Sequence, residues 1–225
     1  MIRAVCLDID DTLVDFTTAA TGALDAVLGT AVDTALWARV NELHYGRYLA
    51  GEVDFPGMQH ARLAAIFAEM GLAAPADVAA LEVRRAAELR NRLCCFDDVL
   101  PCLDELRKQG LALAVLTNSD GPHQRAKLDA VGLGGYFDQL VISGESGCAK
   151  PSVEIFQLAC RVLGTEPWQT LHVGDRLYTD ALGAKDADLH GVWLDRGGSR
   201  CDALVGVHRL RSLDELPELV RSLSC

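Results

Sequence analysis

Acidic residues follow the first predicted strand of this sequence at a spacing that could do chemistry. Asp8 and Asp10 come directly after the apolar run Ala4–Leu7, and residues two apart in extended backbone point the same way. Two carboxylates held together repel each other unless a cation or a shared proton compensates. A hard divalent ion with oxygen ligands, such as Mg²⁺, is the simplest compensation. Taken singly, each aspartate is more often a turn former or a helix N-cap.

Polar residues also follow the next three predicted strands. In chain order they are Thr117, Asn118, Ser119, Lys150, Asp175 and Asp180. Because ligands of open α/β sheets bind beyond the carboxyl ends of the strands, we expect these residues to converge at one edge. Carboxylates, a cation, a lysine and the amides of a helix N-terminus together suit phosphoryl transfer, in which spread-out charge must be stabilised. An aspartate can itself be the nucleophile and form an aspartyl-phosphate.

The strands that must position these residues are short apolar runs separated by helical patterns. The runs span residues 4–7, 111–116, 140–142, 170–173 and 192–194. Apolar residues at i, i+3, i+4 and i+7 mark two of the helices, namely Val99, Cys102, Leu103 and Leu106, then Ile155, Leu158, Ala159 and Val162. Gly110 and Gly164 stand where these helices should end. Strands that alternate with helices predict an α/β fold, a doubly wound parallel sheet covered on both faces.

Residues 14–96 break this alternation, because the segment is rich in Ala, Leu, Glu and Arg and contains no convincing strand. We expect it to form a small helical domain, while residues 1–13 and 97–225 form the α/β core. Arg47 and Arg62 in this segment could meet an anionic substrate, although a solvated helix face is the simpler interpretation.

The composition argues against several classes of partner. The chain has 225 residues, and its 32 acidic and 21 Lys and Arg side chains give a net charge of −11, which is unfavourable for nucleic-acid binding. No apolar run approaches the roughly 18 residues that cross a bilayer. The N-terminus carries no charged-then-apolar signal segment, so we expect neither a membrane anchor nor secretion.

The cysteines and histidines show no metal-ligand spacing. The eight cysteines include no CxxC pair, which argues against a cysteine-based zinc site. We expect reduced, structural thiols in a cytoplasmic protein. His123 and His172 are interpreted as surface or packing residues.

The sequence resembles the haloacid dehalogenase (HAD) superfamily of aspartate-nucleophile hydrolases. Four motifs of that family stand here in order: DxDxT at residues 8–12, a hydrophobic strand ending in Thr117-Asn118, then Lys150, and GDxxxxD at residues 174–180. The likeness extends to the intervening text TNSDGPHQRAKLDAVGLGGYFD and CAKPSVEIFQLA. It implies the family's Rossmann-like core. It also implies that the helical insertion is the cap of subfamily I, which closes over the site and helps to choose the substrate.

The resemblance implies a role for each motif residue. Asp8 would attack phosphorus, and Asp10 would protonate the leaving group and then activate water. Thr117 and the amide of Asn118 would hold the phosphoryl oxygens, while Lys150 would stabilise Asp8 and the transferring group. The cofactor would be Mg²⁺. Its expected ligands are Asp8, the backbone carbonyl of Asp10, Asp175 and, directly or through water, Asp180.

The resemblance implies first a Mg²⁺-dependent phosphatase for a small phosphorylated metabolite, of the nucleoside monophosphate or sugar phosphate type. The alternatives are a 2-haloacid dehalogenase, a phosphomutase and a non-catalytic binding protein, of which the last is disfavoured by the intact motifs. Asp10 favours the phosphatase, because halide departs without protonation and dehalogenases of this family carry a different residue there. The sequence leaves the physiological substrate and the oligomeric state open.

Overall fold

A six-stranded parallel sheet forms the centre of the α/β part of the chain in a computed structural model, which describes residues 1–73, 75–199 and 205–224. The strand order is β3-β2-β1-β4-β5-β6, and every neighbouring pair is parallel. The strands are β1 Ala4–Leu7, β2 Ala112–Thr117, β3 Gln139–Ile142, β4 Thr170–Gly174, β5 His190–Leu194 and β6 Val207–Leu210. The order reverses between β1 and β4, as in Rossmann-like folds. The predicted fold class, a doubly wound parallel α/β sheet, is confirmed.

The five predicted strands are all present, with ends within two residues of the predicted ones. The sixth strand, β6, was not predicted. Its sequence, VHRL, mixes apolar and charged residues, and only Leu210 is fully buried. An edge strand with one neighbour can carry such polar residues, so its hydrophobic signal is weak.

Helices cover the sheet. They are α5 Val99–Lys108, α6 Gly121–Ala130, α7 Ser143–Ser146, α8 Val153–Leu163, α9 Gly183–Asp186 and α10 Leu216–Ser224, with 3-10 turns at Pro167–Gln169 and Leu213–Glu215 and a π-helix at Leu177–Leu182. The stripe predicted on α5 is buried as expected. On α8 the placement of Val162 is wrong, because Phe156 and Cys160 face the core while Val162 is 41% exposed. Gly164 ends α8 at a φ of 65°, which favours glycine.

The remaining helices belong to a second unit. The chain divides into two compact units, Met1–Val14 with Cys95–Cys225 and Asp15–Cys94. The second unit contains α1 Phe16–Leu28, α2 Thr34–Leu49, α3 Phe55–Glu69 and α4 Val78–Arg92. Each helix begins after an aspartate whose carboxylate accepts a backbone N–H of the first turn; these are Asp15, Asp33, Asp54 and Asp77.

The core of this second unit contains a buried arginine beside its apolar residues. Trp37, Leu63 and Leu89 pack together as apolar residues of such a bundle should. The interpretation of Arg62 as part of a solvated face is wrong, because this residue is only 6% exposed. A helical pattern assigns Arg to the polar face by type, whereas this guanidinium stacks on the Trp37 ring.

Among the described residues, no helix is long and apolar enough to cross a membrane. Their six cysteines are free thiols, whereas Cys201 and Cys225 lie outside the described residues. Burial raises the pKa of the Cys102 thiol to about 12, with a further contribution from Asp98, so this thiol is unreactive at neutral pH.

Candidate active site

Three neighbouring strands bring the predicted site residues to one edge of the sheet. β1 lies between β2 and β4. Asp8 follows β1, Thr117 is the last residue of β2, and Asp175 follows β4 directly. Because the strands are parallel, all three residues lie at the carboxyl edge, where α/β proteins place their chemistry. Lys150 reaches the same edge from the loop before α8.

Lys150 joins two of the carboxylates. Its ammonium Nζ lies 2.7 Å from Oδ1 of Asp8 and 2.6 Å from Oδ1 of Asp180, and its side chain is 2% exposed. The Asn118 side chain fixes the lysine backbone: Nδ2 donates to the Lys150 carbonyl, and Oδ1 accepts from the Lys150 N–H, both at 2.8 Å. Burial by itself lowers the pKa of Lys150, but Asp180 and Asp8 outweigh it and raise the pKa, so the lysine is charged.

Asp8, Asp175 and Asp180 form an acidic cluster. One carboxylate oxygen from each lies within 4.8 Å of the others. Burial raises the pKa of Asp8 despite the opposing effect of Lys150. Burial and then the charges of Asp8 and Asp180 raise the pKa of Asp175 well above its usual range. Close oxygen donors of this kind, two of them on buried residues, need a positive centre, so the donor set fits a hard divalent cation such as Mg²⁺.

Asp180 is the most constrained member of this cluster. Its Oδ1 contacts Lys150 and lies 3.0 Å from Nε2 of His172, while its Oδ2 accepts the Arg176 N–H at 3.0 Å. Burial acts to raise the pKa of Asp180, but Lys150 and His172 outweigh it and hold the pKa below its usual range. Both carboxylate oxygens of Asp180 are therefore engaged by other groups of the chain.

His172 has a contact that sequence reasoning missed. It lies within β4, is fully buried, and packs its ring edge-on against Phe156 at 5.3 Å between centroids. The predicted packing role is present, but the contact with Asp180 adds a polar one. Burial lowers the pKa of His172 although Asp180 acts to raise it, which favours the neutral ring. A histidine in an otherwise apolar central strand was the available signal.

Asp10 lies apart from the acidic cluster and pairs with α6. Its Oδ1 forms an ion pair with Nζ of Lys127, whose side chain is 2% exposed. Gln124, one helical turn earlier, donates from Nε2 to Oγ1 of Thr117 at 2.9 Å and lies 3.5 Å from Oδ2 of Asp10. Sequence reasoning missed both α6 residues. The sequence feature that could have indicated them is a pair of polar residues at i and i+3 on the face of α6 that is buried.

The ends of the first and fourth motifs hold the Asp175 backbone and its neighbours in place. The buried Thr12 hydroxyl accepts the Asp175 N–H at 3.0 Å, and Nε1 of Trp193 donates to the Asp175 carbonyl at 2.9 Å. Position 174 requires glycine, because the Asp180 carboxylate lies so close to this backbone that a Cβ would collide with it. The π-helix that carries Asp180 is a form of backbone frequent at functional sites.

Comparison with known proteins places the chain in a class of α/β hydrolases and then in a family. The family described as haloacid dehalogenase-like hydrolase matches residues 2–188, which include all four motifs. The chain belongs to this family.

Curated relatives and solved structures agree with this placement. N-acylneuraminate-9-phosphatase of Mus musculus is 39% identical over 132 residues, covering 57% of this chain and 53% of that protein, so the chain matches about half the length of this relative. Glyceraldehyde 3-phosphate phosphatase of Methanopyrus kandleri is 34% identical over 204 residues, covering 88% and 85%. The structure of L-2-haloacid dehalogenase from Xanthobacter autotrophicus superposes with a TM-score of 0.77 at 25% identity, covering 98% and 99%.

Proposed function

We propose that the protein is a Mg²⁺-dependent phosphatase that hydrolyses the phosphate monoester of a small metabolite through an aspartyl-phosphate on Asp8. The observation that carries the proposal is the buried Asp8 carboxylate, held 2.7 Å from the Lys150 ammonium beside Asp175 and Asp180. The two phosphatase relatives support it. Their names refer to phosphorylated sugars, which favours a sugar phosphate over a nucleoside monophosphate as substrate.

In the first half-reaction, a carboxylate oxygen of Asp8 attacks phosphorus and the bond from phosphorus to the ester oxygen breaks. Asp10 donates a proton to the departing oxygen, which leaves as an alcohol. Lys150 offsets the negative charge that the phosphoryl group brings next to Asp8. Thr117 and the backbone amide of Asn118 bind the phosphoryl oxygens at the end of β2.

In the second half-reaction, Asp10 accepts a proton from water as that water attacks the phosphorus of the aspartyl-phosphate. The bond from phosphorus to Asp8 then breaks, which releases inorganic phosphate and regenerates the Asp8 carboxylate. Lys127 and Gln124 keep Asp10 in one position for both proton transfers. An acid that is already positioned contributes more than one that must be ordered at each step.

Mg²⁺ would be held by Asp8, the backbone carbonyl of Asp10 and Asp175, with Asp180 acting through water or through Lys150. When bound, it would supply positive charge that stabilises the transferring phosphoryl group. The surroundings of Asp8 and Asp175 favour a bound cation, because burial and mutual repulsion make the two charged carboxylates unfavourable without one.

We propose further that the helical unit acts as a cap and governs substrate choice. Its support is the resemblance to capped family members and the separate compactness of Asp15–Cys94. Such a unit can exclude bulk water and complete a pocket. Substitutions in it should therefore alter selectivity among phosphate esters more than hydrolysis of a small generic ester.

Dehalogenation is the second candidate, because L-2-haloacid dehalogenase shares the fold. Carbon chemistry has no use for a proton donor at position 10, nor for buried carboxylates that need a cation. This sequence has both Asp10 and the acidic cluster. The site residues therefore favour phosphoryl transfer.

One experiment separates the two activities. The purified protein is assayed with Mg²⁺ for phosphate release from glyceraldehyde 3-phosphate, N-acylneuraminate 9-phosphate and nucleoside monophosphates, and for chloride release from 2-chloropropionate. We expect phosphate release from at least one ester, no chloride release, and no turnover by a folded Asp8→Asn variant. Chloride release without metal, or phosphate release by Asp8→Asn at the wild-type rate, would overturn the proposal.

A further inference from the structure

The helical unit contains a buried pair of arginines with incomplete compensation of charge. Arg62 on α3 and Arg85 on α4 are 6% and 2% exposed. Glu82 pairs with Arg85, accepting from its Nε at 2.7 Å and from its Nη2 at 2.5 Å. This bidentate pair is neutral overall. The charge of Arg62 is therefore in excess.

The contacts of Arg62 are with neutral groups. Its Nη1 donates to Oδ1 of Asn41 at 2.7 Å, and its guanidinium lies 4.8 Å from the centroid of the Trp37 ring. Burial, and next the charge of Arg85, lower the pKa of Arg62 to about 9, although Glu82 opposes the shift. A buried cation whose direct contacts are neutral groups is unfavourable unless an anion accompanies it.

The guanidinium of Arg85 has a buried donor that its ion pair with Glu82 does not use. Its Nη1 is buried and has no hydrogen-bond partner among the residues that the structure describes. Buried donors are nearly always paired in proteins, because an unmade hydrogen bond costs the full desolvation of the group. An unpaired N–H on a side chain that is 2% exposed points to an acceptor supplied from outside the chain.

We propose that Arg62 and Arg85 form a binding site for a carboxylate group, named here the Arg62–Arg85 site. One excess positive charge matches a monoanion, and the planar guanidinium matches the two oxygens of a carboxylate. The carboxylate belongs to a carboxylic acid ligand of the helical unit.

Binding is tested on the full-length chain by thermal unfolding in sodium acetate, with sodium chloride at the same ionic strength as reference. We expect acetate to raise the Tm of the wild-type protein in a saturable way that chloride does not reproduce, because a ligand of the folded state stabilises it. Arg62→Gln should abolish this rise. Arg84→Gln, an exposed arginine beside Arg85 on α4, is the matched control and should retain it.

The result that would overturn the site is a wild-type Tm that acetate and chloride affect equally, or a saturable rise that survives in Arg62→Gln. A wild-type titration without a saturable rise overturns the site even if Arg62→Gln does not fold. Arg62→Lys keeps the charge but loses the planar fork, so we expect it to bind acetate several-fold more weakly than wild type.

The test of this site is independent of the proposed function. Absence of phosphatase activity would contradict the proposed function alone, because the acetate measurement does not depend on turnover.

Discussion

Two aspartates that stand two residues apart have different surroundings. The Asp8 side chain is 11% exposed and contacts Lys150, whereas the Asp10 side chain is 31% exposed and contacts Lys127. A buried carboxylate beside one lysine suits a nucleophile that must be held still. A more exposed carboxylate suits a group that exchanges protons with a leaving group and with water.

The Asp10→Asn variant tests the acid role of this residue. Asparagine keeps the shape but cannot donate a carboxylic proton, so the rate should fall about 10²- to 10⁴-fold for alkyl phosphates, the usual contribution of general acid catalysis. The loss should be smaller for p-nitrophenyl phosphate, whose leaving group needs no proton. Steady-state rates with both esters measure the difference, and Asp8→Asn, which should lose both activities equally, is the reference. Equal losses for the two esters in Asp10→Asn would contradict the role.

The Lys127→Met variant tests the positioning of Asp10. Methionine fills a similar volume without the ammonium, so we expect kcat for alkyl phosphates to fall about 10- to 100-fold, as when partners that orient a functional side chain are removed. The free energy of unfolding should fall by roughly 1–3 kcal/mol, because the Asp10 carboxylate loses its ion-pair partner. Lys127→Arg, which keeps the charge, should recover part of the rate. A uniform loss for activated and unactivated esters would mean that Lys127 has only a structural role.

At the scale of elements, the edge strand β6 is attached to β5 by a charged pair. Asp195 directly follows β5, and its carboxylate forms an ion pair with Arg209 of β6. The same guanidinium lies 4.8 Å from the Trp193 ring centroid. Burial acts to raise the pKa of Asp195, but hydrogen bonds from Arg209 and Ser199 hold it at about 2, below its usual 3.8. Polar contacts therefore help to attach a strand that buries little apolar surface.

The Arg209→Met variant tests this attachment through its pH dependence. Because the folded-state pKa of Asp195 is depressed, its contribution to stability is present above pH about 4 and is lost as the pH falls towards 2. We expect Arg209→Met to lower the free energy of unfolding by roughly 1–2 kcal/mol at neutral pH, and this deficit to shrink between pH about 4 and 2.

Urea unfolding of Arg209→Met and wild type across this pH range provides the measurement. Arg221→Met, which removes an exposed arginine of α10 paired with Glu105, is the control and should cost well under 1 kcal/mol. A deficit for Arg209→Met that stays constant below pH 4 would show that packing on Trp193, and not the ion pair, attaches β6.

At the scale of the whole molecule, negative charge is both global and local. The chain carries a net charge of −11, and the carboxyl edge of its sheet concentrates Asp8, Asp175 and Asp180. A divalent cation bound there offsets this local repulsion in the folded state only. Mg²⁺ should therefore affect the stability of the protein as well as its activity.

We expect a chelator to abolish phosphate release and added Mg²⁺ to restore it. Mg²⁺ alone should also raise the Tm, since a ligand at 100 times its Kd stabilises the folded state by about 2.7 kcal/mol. Thermal unfolding with and without Mg²⁺ is the measurement. Asp175→Asn should remove the effect, and Asp104→Asn, which deletes an exposed charge on α5, should not. Full activity in excess chelator would exclude the metal role of Asp175.

The sequence by itself determined the α/β class, five of the six strands and the set of residues that follow them. These features are local: a buried strand is a run of apolar residues, and parallel strands carry the residues after them to one edge. The contacts of Asp8 with Lys150 could be expected on this ground, because both follow predicted strands. The edge strand β6 escaped prediction because its residues are only partly buried.

Only the tertiary structure decided which charged side chains are buried and which partners they have. Lys127 and Arg62 have the residue type of solvated helix faces, yet each is almost fully buried against partners far away in the sequence. His172 likewise meets Asp180 through the packing of β4 against the π-helix. A pattern of residue types gives the polarity of a position, whereas the burial of a charge depends on which partner the fold brings to it. That partner is set by packing between elements, and a linear sequence does not contain it.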